Sequence, residues 1–164
     1  VGDNVMETPI GLEEIILTFG SLDDPNFERD KITSFDFPYP LSFHSPVGLM
    51  QVHRGRCHRL MVPIFQEALA KVGEAGFETC FRPYGGIYAR RPQRGSKSFP
   101  STHSWGIAID GDSETEIDPD AYKLGSSVRM PDEVVRIFTD LGFFYGGDFK
   151  HRRDPMHFQM AKNY

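Results

Sequence analysis

Two short segments, far apart in the chain, constrain it more than any other feature. They are Ser101-Thr-His103-Ser-Trp-Gly106-Ile-Ala108-Ile-Asp110 and Asp154-Pro-Met-His157-Phe158. Together they supply two imidazoles, a carboxylate at a fixed offset from the first, and a second carboxylate beside the last histidine. A mononuclear zinc hydrolase needs this inventory: three protein ligands, an open position, and one unligated acid/base group. His103 is a ligand candidate because Asp110 follows seven residues on and Gly106 permits close backbone approach near a metal. His157 is one because Asp154 stands three residues upstream, where a carboxylate can serve as general base without ligating. Pro155 holds Asp154 extended.

The other histidines, His44, His53, His58 and His151, read as packed or surface residues. The acidic run Asp112, Glu114, Glu116, Asp118 and Asp120 reads as a solvated loop, since its order does not fit the EF-hand calcium loop. Ser101 and Ser104 flank His103, but no GxSxG elbow accompanies them. Cys57 and Cys80 lack ligand-like spacing and read as two free thiols.

At 164 residues the chain is expected to be one domain with its own core. A net charge of -5 gives a nucleic-acid partner no electrostatic support. Arg90, Arg91, Arg94 and Lys97 nevertheless cluster before the first segment, and Lys150, Arg152 and Arg153 before the second. A basic rim of this kind suits a substrate that carries carboxylates. No apolar run approaches 18 residues, so no membrane span is expected, and the first residues lack the basic and apolar regions of a signal peptide.

Thr8 and Pro9, followed by Leu12, Ile15, Ile16 and Phe19, predict a short capped helix ending at Gly20. Residues 21–56, rich in Pro, Asp and aromatics, read as irregular with short strands at most. The periodicity of Leu60, Met61, Ile64, Phe65, Ala68, Leu69 and Val72 predicts a helix from His58 to Glu74 stopped by Gly76. Alternation predicts strands at 77–81 and 105–110, with a long functional loop over 82–100 between them. A second helix is expected from Pro131 to Leu141, and strands at 143–145 and 157–160. Helices and strands do not alternate regularly, which favours an α+β fold with helices packed on an antiparallel sheet.

Over these residues the chain resembles the zinc peptidases that cut bacterial cell-wall peptides. That group includes D-alanyl-D-alanine carboxypeptidases, D-alanyl-D-alanine dipeptidases and phage L-alanyl-D-glutamate endolysins. Its Ser-x-His-x-x-Gly-x-Ala-x-Asp signature is met in full at 101–110, and Asp154-Pro-Met-His157-Phe158 is similar to its second signature. Gly85-Gly86-Ile-Tyr-Ala-Arg-Arg91-Pro-Gln-Arg-Gly95 looks like the endolysin branch. The carboxypeptidases and dipeptidases typically use Glu where this chain has Asp154.

The resemblance implies that His103, Asp110 and His157 hold Zn2+ and that Asp154 is the catalytic base. Arg91 would face the scissile carbonyl oxygen, with Arg82 or Arg90 as alternatives, and Ser101 would support a ligand by hydrogen bonding. It also implies the small α+β fold shared with the hedgehog signalling domain. Residues 1–164 would form one peptidase domain, with an N-terminal helix and irregular region at 1–56 and the zinc-peptidase core at 57–164. The implied partner is the peptidoglycan stem peptide, cut by a monomer at the bacterial wall, as a free lysin or a virion component. The implied reaction is L-alanyl-D-glutamate endopeptidase cleavage. The alternatives are a D-alanyl-D-alanine carboxypeptidase or dipeptidase, and a metal-bearing wall-binding module without activity.

Overall fold

A computed structural model describes residues 6–111, 124 and 127–164, and the acidic run 112–120 lies outside them. The architecture is α+β: among the described residues, helices pack against antiparallel strands that form two separate sheets.

The first helix, α1 (Gly11–Phe19), buries Ile15 and Phe19 and ends at Gly20, whose φ of 103° suits a residue without a Cβ. Thr8 does not cap it. The Thr8 hydroxyl donates to the Gly142 carbonyl instead, and the helix N-terminus is closed by Glu14, which accepts from Ile10 N at 2.6 Å.

Residues 21–56 are far more regular than their composition suggests. A short helix α2 (Phe27–Lys31) leads into a long antiparallel hairpin, β1 (Ile32–Ser45) and β2 (Gly48–His58). Pro38 and Pro40 explain the difference. They cannot donate to the ladder, and the register shifts between Asp36 and Leu41, so the alternation a strand should show is broken in mid-course. The apolar residues that survive the break, Phe35, Phe37 and Leu41, are buried.

The central helix α3 (Val62–Glu74) buries Ile64, Phe65, Ala68, Leu69 and Val72, the face read from the sequence. Its first turn differs from expectation: Arg59–Met61 is a 3-10 turn started by His58, and Leu60 is exposed. Residues 77–81 are not a strand. Glu78–Phe81 form a 3-10 turn with Phe81 buried, because Phe77 and Phe81 stand four apart, a spacing that helical turns share with strands.

Three short strands make the second sheet, in the order β3 (Ala108–Asp110), β5 (His157–Gln159), β4 (Phe144–Tyr145). The helix α4 (Asp132–Asp140) buries Val134, Val135 and Phe138. Phe138 stacks on Phe158 at 4.2 Å between ring centroids and meets Phe143 edge-on at 5.0 Å, while Phe65 of α3 reaches Phe143. These rings fasten the second sheet to both long helices. Each fully buried Phe stabilises the fold by about 1.5–3 kcal/mol.

The hairpin is joined to the site through Gly106. Its φ is 70°, and a Cβ added there would lie 2.5 Å from His58 N. The His58 N–H donates to the Gly106 carbonyl at 3.0 Å. The close approach expected of this glycine is therefore to the end of β2, not to a metal. Gly106→Ala combines a left-handed backbone, roughly 1–2 kcal/mol, with overpacking of about 1–3 kcal/mol. Chemical denaturation should show that combined loss, and an unchanged midpoint would contradict this packing.

Candidate metal centre

The segment from His103 to Asp110 is not one continuous strand. Thr102–Trp105 form a buried 3-10 turn, Gly106 turns the chain, and only Ala108–Asp110 pair with β5. Ser101 Oγ accepts from His103 N at 3.3 Å and so caps the turn that carries the imidazole. Asp110 ends β3 and is the register partner of His157, the first residue of β5. This pairing is what brings the two segments together.

His103, Asp110 and His157 are all buried, and among the described residues their ligand atoms lie within 4.8 Å of one another. One carboxylate stands between two rings: His157 Nδ1 is 2.8 Å from Asp110 Oδ1, and His103 Nε2 is 3.1 Å from Asp110 Oδ2. The far side of the His103 ring faces the Ile87 carbonyl, 2.7 Å from Nδ1. A carbonyl only accepts, so His103 carries its proton on Nδ1 and turns the Nε2 lone pair towards Asp110. That nitrogen is buried and has no hydrogen-bond partner among the described residues. An imidazole lone pair facing a carboxylate oxygen repels it unless a cation lies between them. Two imidazoles and a carboxylate form a donor set that suits zinc.

The electrostatics agree. Burial opposes the Asp110 carboxylate, yet its place between the His103 and His157 rings holds its pKa far below the usual range. Burial likewise opposes a charged His157, but the hydrogen bond and charge of Asp110 outweigh it and raise the pKa to about 9. The His157 imidazolium is thus paired with the Asp110 carboxylate, and a metal that binds there displaces a proton.

Asp154 sits at the edge of this cluster. Gly146 O accepts its N–H at 2.8 Å, and its own carbonyl accepts from His157 N at 3.1 Å, closing a tight turn. A Cβ on Gly146 would lie 2.4 Å from Asp154 O and 3.0 Å from the His157 Cβ, so this turn requires glycine beneath it. Tyr145 braces the same turn, donating to Pro155 O at 2.7 Å while accepting from Met130 N. Burial raises the Asp154 pKa and Asp110 adds to the rise, while His157, Arg94 and His103 pull the other way. Asp154 Oδ1 is buried without a hydrogen-bond partner among the described residues.

The basic residues divide. The half-buried Arg91 is tied through its backbone, with its carbonyl accepting from Ser101 N and Ser104 Oγ. The Arg82 guanidinium donates to Pro40 O and lies over the Tyr39 ring, and Arg90 donates to Leu22 O. Arg153, expected on a basic rim, is instead buried and donates to Gly147 O and Val128 O. Arg94 is the arginine whose charge bears on Asp154, and its place in the loop gave no sign of that. His58 is a core residue as expected: Nε2 donates to Phe19 O, Nδ1 accepts from Leu60 N, and burial lowers its pKa. Cys57 and Cys80 are not joined by a disulfide.

Residues 94–160 match the family model described as D-alanyl-D-alanine carboxypeptidase. This is a peptidase family. The matched span contains His103, Asp110, Asp154, His157 and Arg94, and leaves out the hairpin, α3 and Arg91. The match and the buried His-Asp-His cluster together support a hydrolase of the metallopeptidase kind. No curated protein and no solved structure matches the chain. No helix among the described residues is long and apolar enough to cross a membrane.

Proposed function

We propose that this protein is a zinc-dependent peptidase that cuts the peptidoglycan stem peptide as an L-alanyl-D-glutamate endopeptidase. The observation that carries the metal reading is the buried carboxylate of Asp110, faced by an imidazole on each side. His103 Nε2, Asp110 and His157 Nδ1 would hold the zinc, which when bound would supply Lewis-acid polarisation of a carbonyl and acidify water.

Asp154 acts as the proton carrier. Its raised pKa suits a group that takes a proton from the attacking water and returns it to the leaving amine. Arg91 is assigned to the scissile carbonyl oxygen, where a guanidinium stabilises the negative charge that develops in the transition state. Arg94, close enough to act on Asp154, helps keep that carboxyl ionised before the reaction. The Gly85–Gly95 segment and the Asp154-Pro-Met-His157-Phe158 form, both similar to the endolysin branch, support the endolysin-type reading.

The description of the matching family favours a second reading, removal of terminal D-alanine. Mass spectrometry of purified stem peptides incubated with the zinc-loaded protein separates the two. A released peptide that begins with D-Glu is the expected product, loss of D-Ala alone would establish the carboxypeptidase, and intact peptides would overturn both.

A further inference from the structure

Gln159 stands two residues after His157 on β5, so both side chains leave the same face of the strand. It is buried, and each of its amide atoms is engaged. Nε2 donates to Ala161 O and to Tyr164 O, both at 3.2 Å. Carbonyls accept and cannot donate, so this pair of contacts fixes which end of the amide is nitrogen. Oε1 therefore points the other way, accepting from Thr102 Oγ1 at 3.0 Å and lying 2.8 Å from His157 Nε2. An amide oxygen can only accept, so His157 Nε2 must carry a hydrogen.

We infer that Gln159 is the positioning residue that commits His157 to binding metal through Nδ1. With Nε2–H donated to Gln159, the nitrogen left for a metal is the one 2.8 Å from Asp110 Oδ1. His103 is set in the mirror sense, since the Ile87 carbonyl takes Nδ1–H and leaves Nε2. The two rings thus offer different nitrogens to one point, and each choice is made by an acceptor behind the ring. An outer acceptor of this kind orients a ligand and raises its basicity, and losing one typically costs about 10–100-fold in metal affinity. Thr102 lies on the same 3-10 turn as His103, so its bond to Gln159 also joins the supports of the two rings.

The inference rests on the metal reading of the site, and the experiment keeps the two apart. Zinc affinity is measured by chelator competition for the wild-type chain and for Gln159→Met, which preserves length and removes the acceptor. Long-range proton–nitrogen NMR of the zinc-loaded wild type reports which His157 nitrogen bears hydrogen. Expected are zinc binding by the wild type, hydrogen on Nε2, and affinity about 10–100-fold weaker in Gln159→Met. Hydrogen on Nδ1 in zinc-loaded wild type would overturn the Gln159 role alone, whether or not the variant folds. A folded Gln159→Met with unchanged affinity would do the same. A wild-type chain that binds no zinc would overturn both readings.

Discussion

Asp154→Ala is expected to retain zinc at wild-type affinity while its turnover of stem peptide falls by about 10²–10⁴, the usual worth of a positioned acid/base group. Proton transfer and metal ligation are divided between neighbouring residues in this reading. Asp154 belongs to the same turn as His157, yet its side chain makes no hydrogen bond within the described ligand cluster; only its backbone is tied, to Gly146 O and His157 N. Truncating it should leave the ligands where they are. Zinc titration beside a turnover assay provides the check: loss of zinc would make Asp154 a ligand, and turnover within a few-fold of wild type would remove it from the chemistry.

Asp110→Asn is expected to do the opposite and remove zinc. The substitution keeps size and shape but deletes the charge that both imidazoles face, and gives one of them an amide donor in its place. Zinc affinity should fall by more than the roughly 10–100-fold that accompanies loss of an outer partner, and activity should fall with it. Equilibrium dialysis of the two proteins decides the matter, and equal zinc content would show that the metal, if held, is held elsewhere.

The residues that converge at the site were legible because the chemistry demands them. An imidazole, a carboxylate seven residues later and a second Asp-x-x-His segment have few structural reasons to occur together. What holds them was not legible. Gln159 looks like any polar residue on a short strand, and the acceptor behind His103 is a backbone carbonyl, that of Ile87, which no side chain announces. Gly146 needed its neighbours' coordinates to be recognised, since only they show what its Cβ would strike.

The fold divided along similar lines. The apolar faces of α1, α3 and α4 were plain because a helical stripe repeats over several turns. The hairpin was hidden by Pro38 and Pro40, which interrupt the alternation while leaving the pairing intact on either side. The segments at 77–81 and 105–107 were too short for period two to be told from a tight turn.

The direct opposition of Asp110 and His157 reaches beyond catalysis. β3 and β5 are each three residues long, so their backbone ladder contains too little information to specify one alignment. Sliding either strand by a single residue would turn His157 or Asp110 to the opposite face. A cation gripped by both can form its bonds only when the alignment is right. An ion held between these residues would also act as a proofreader of folding, rewarding one strand alignment and leaving every slipped one without its reward.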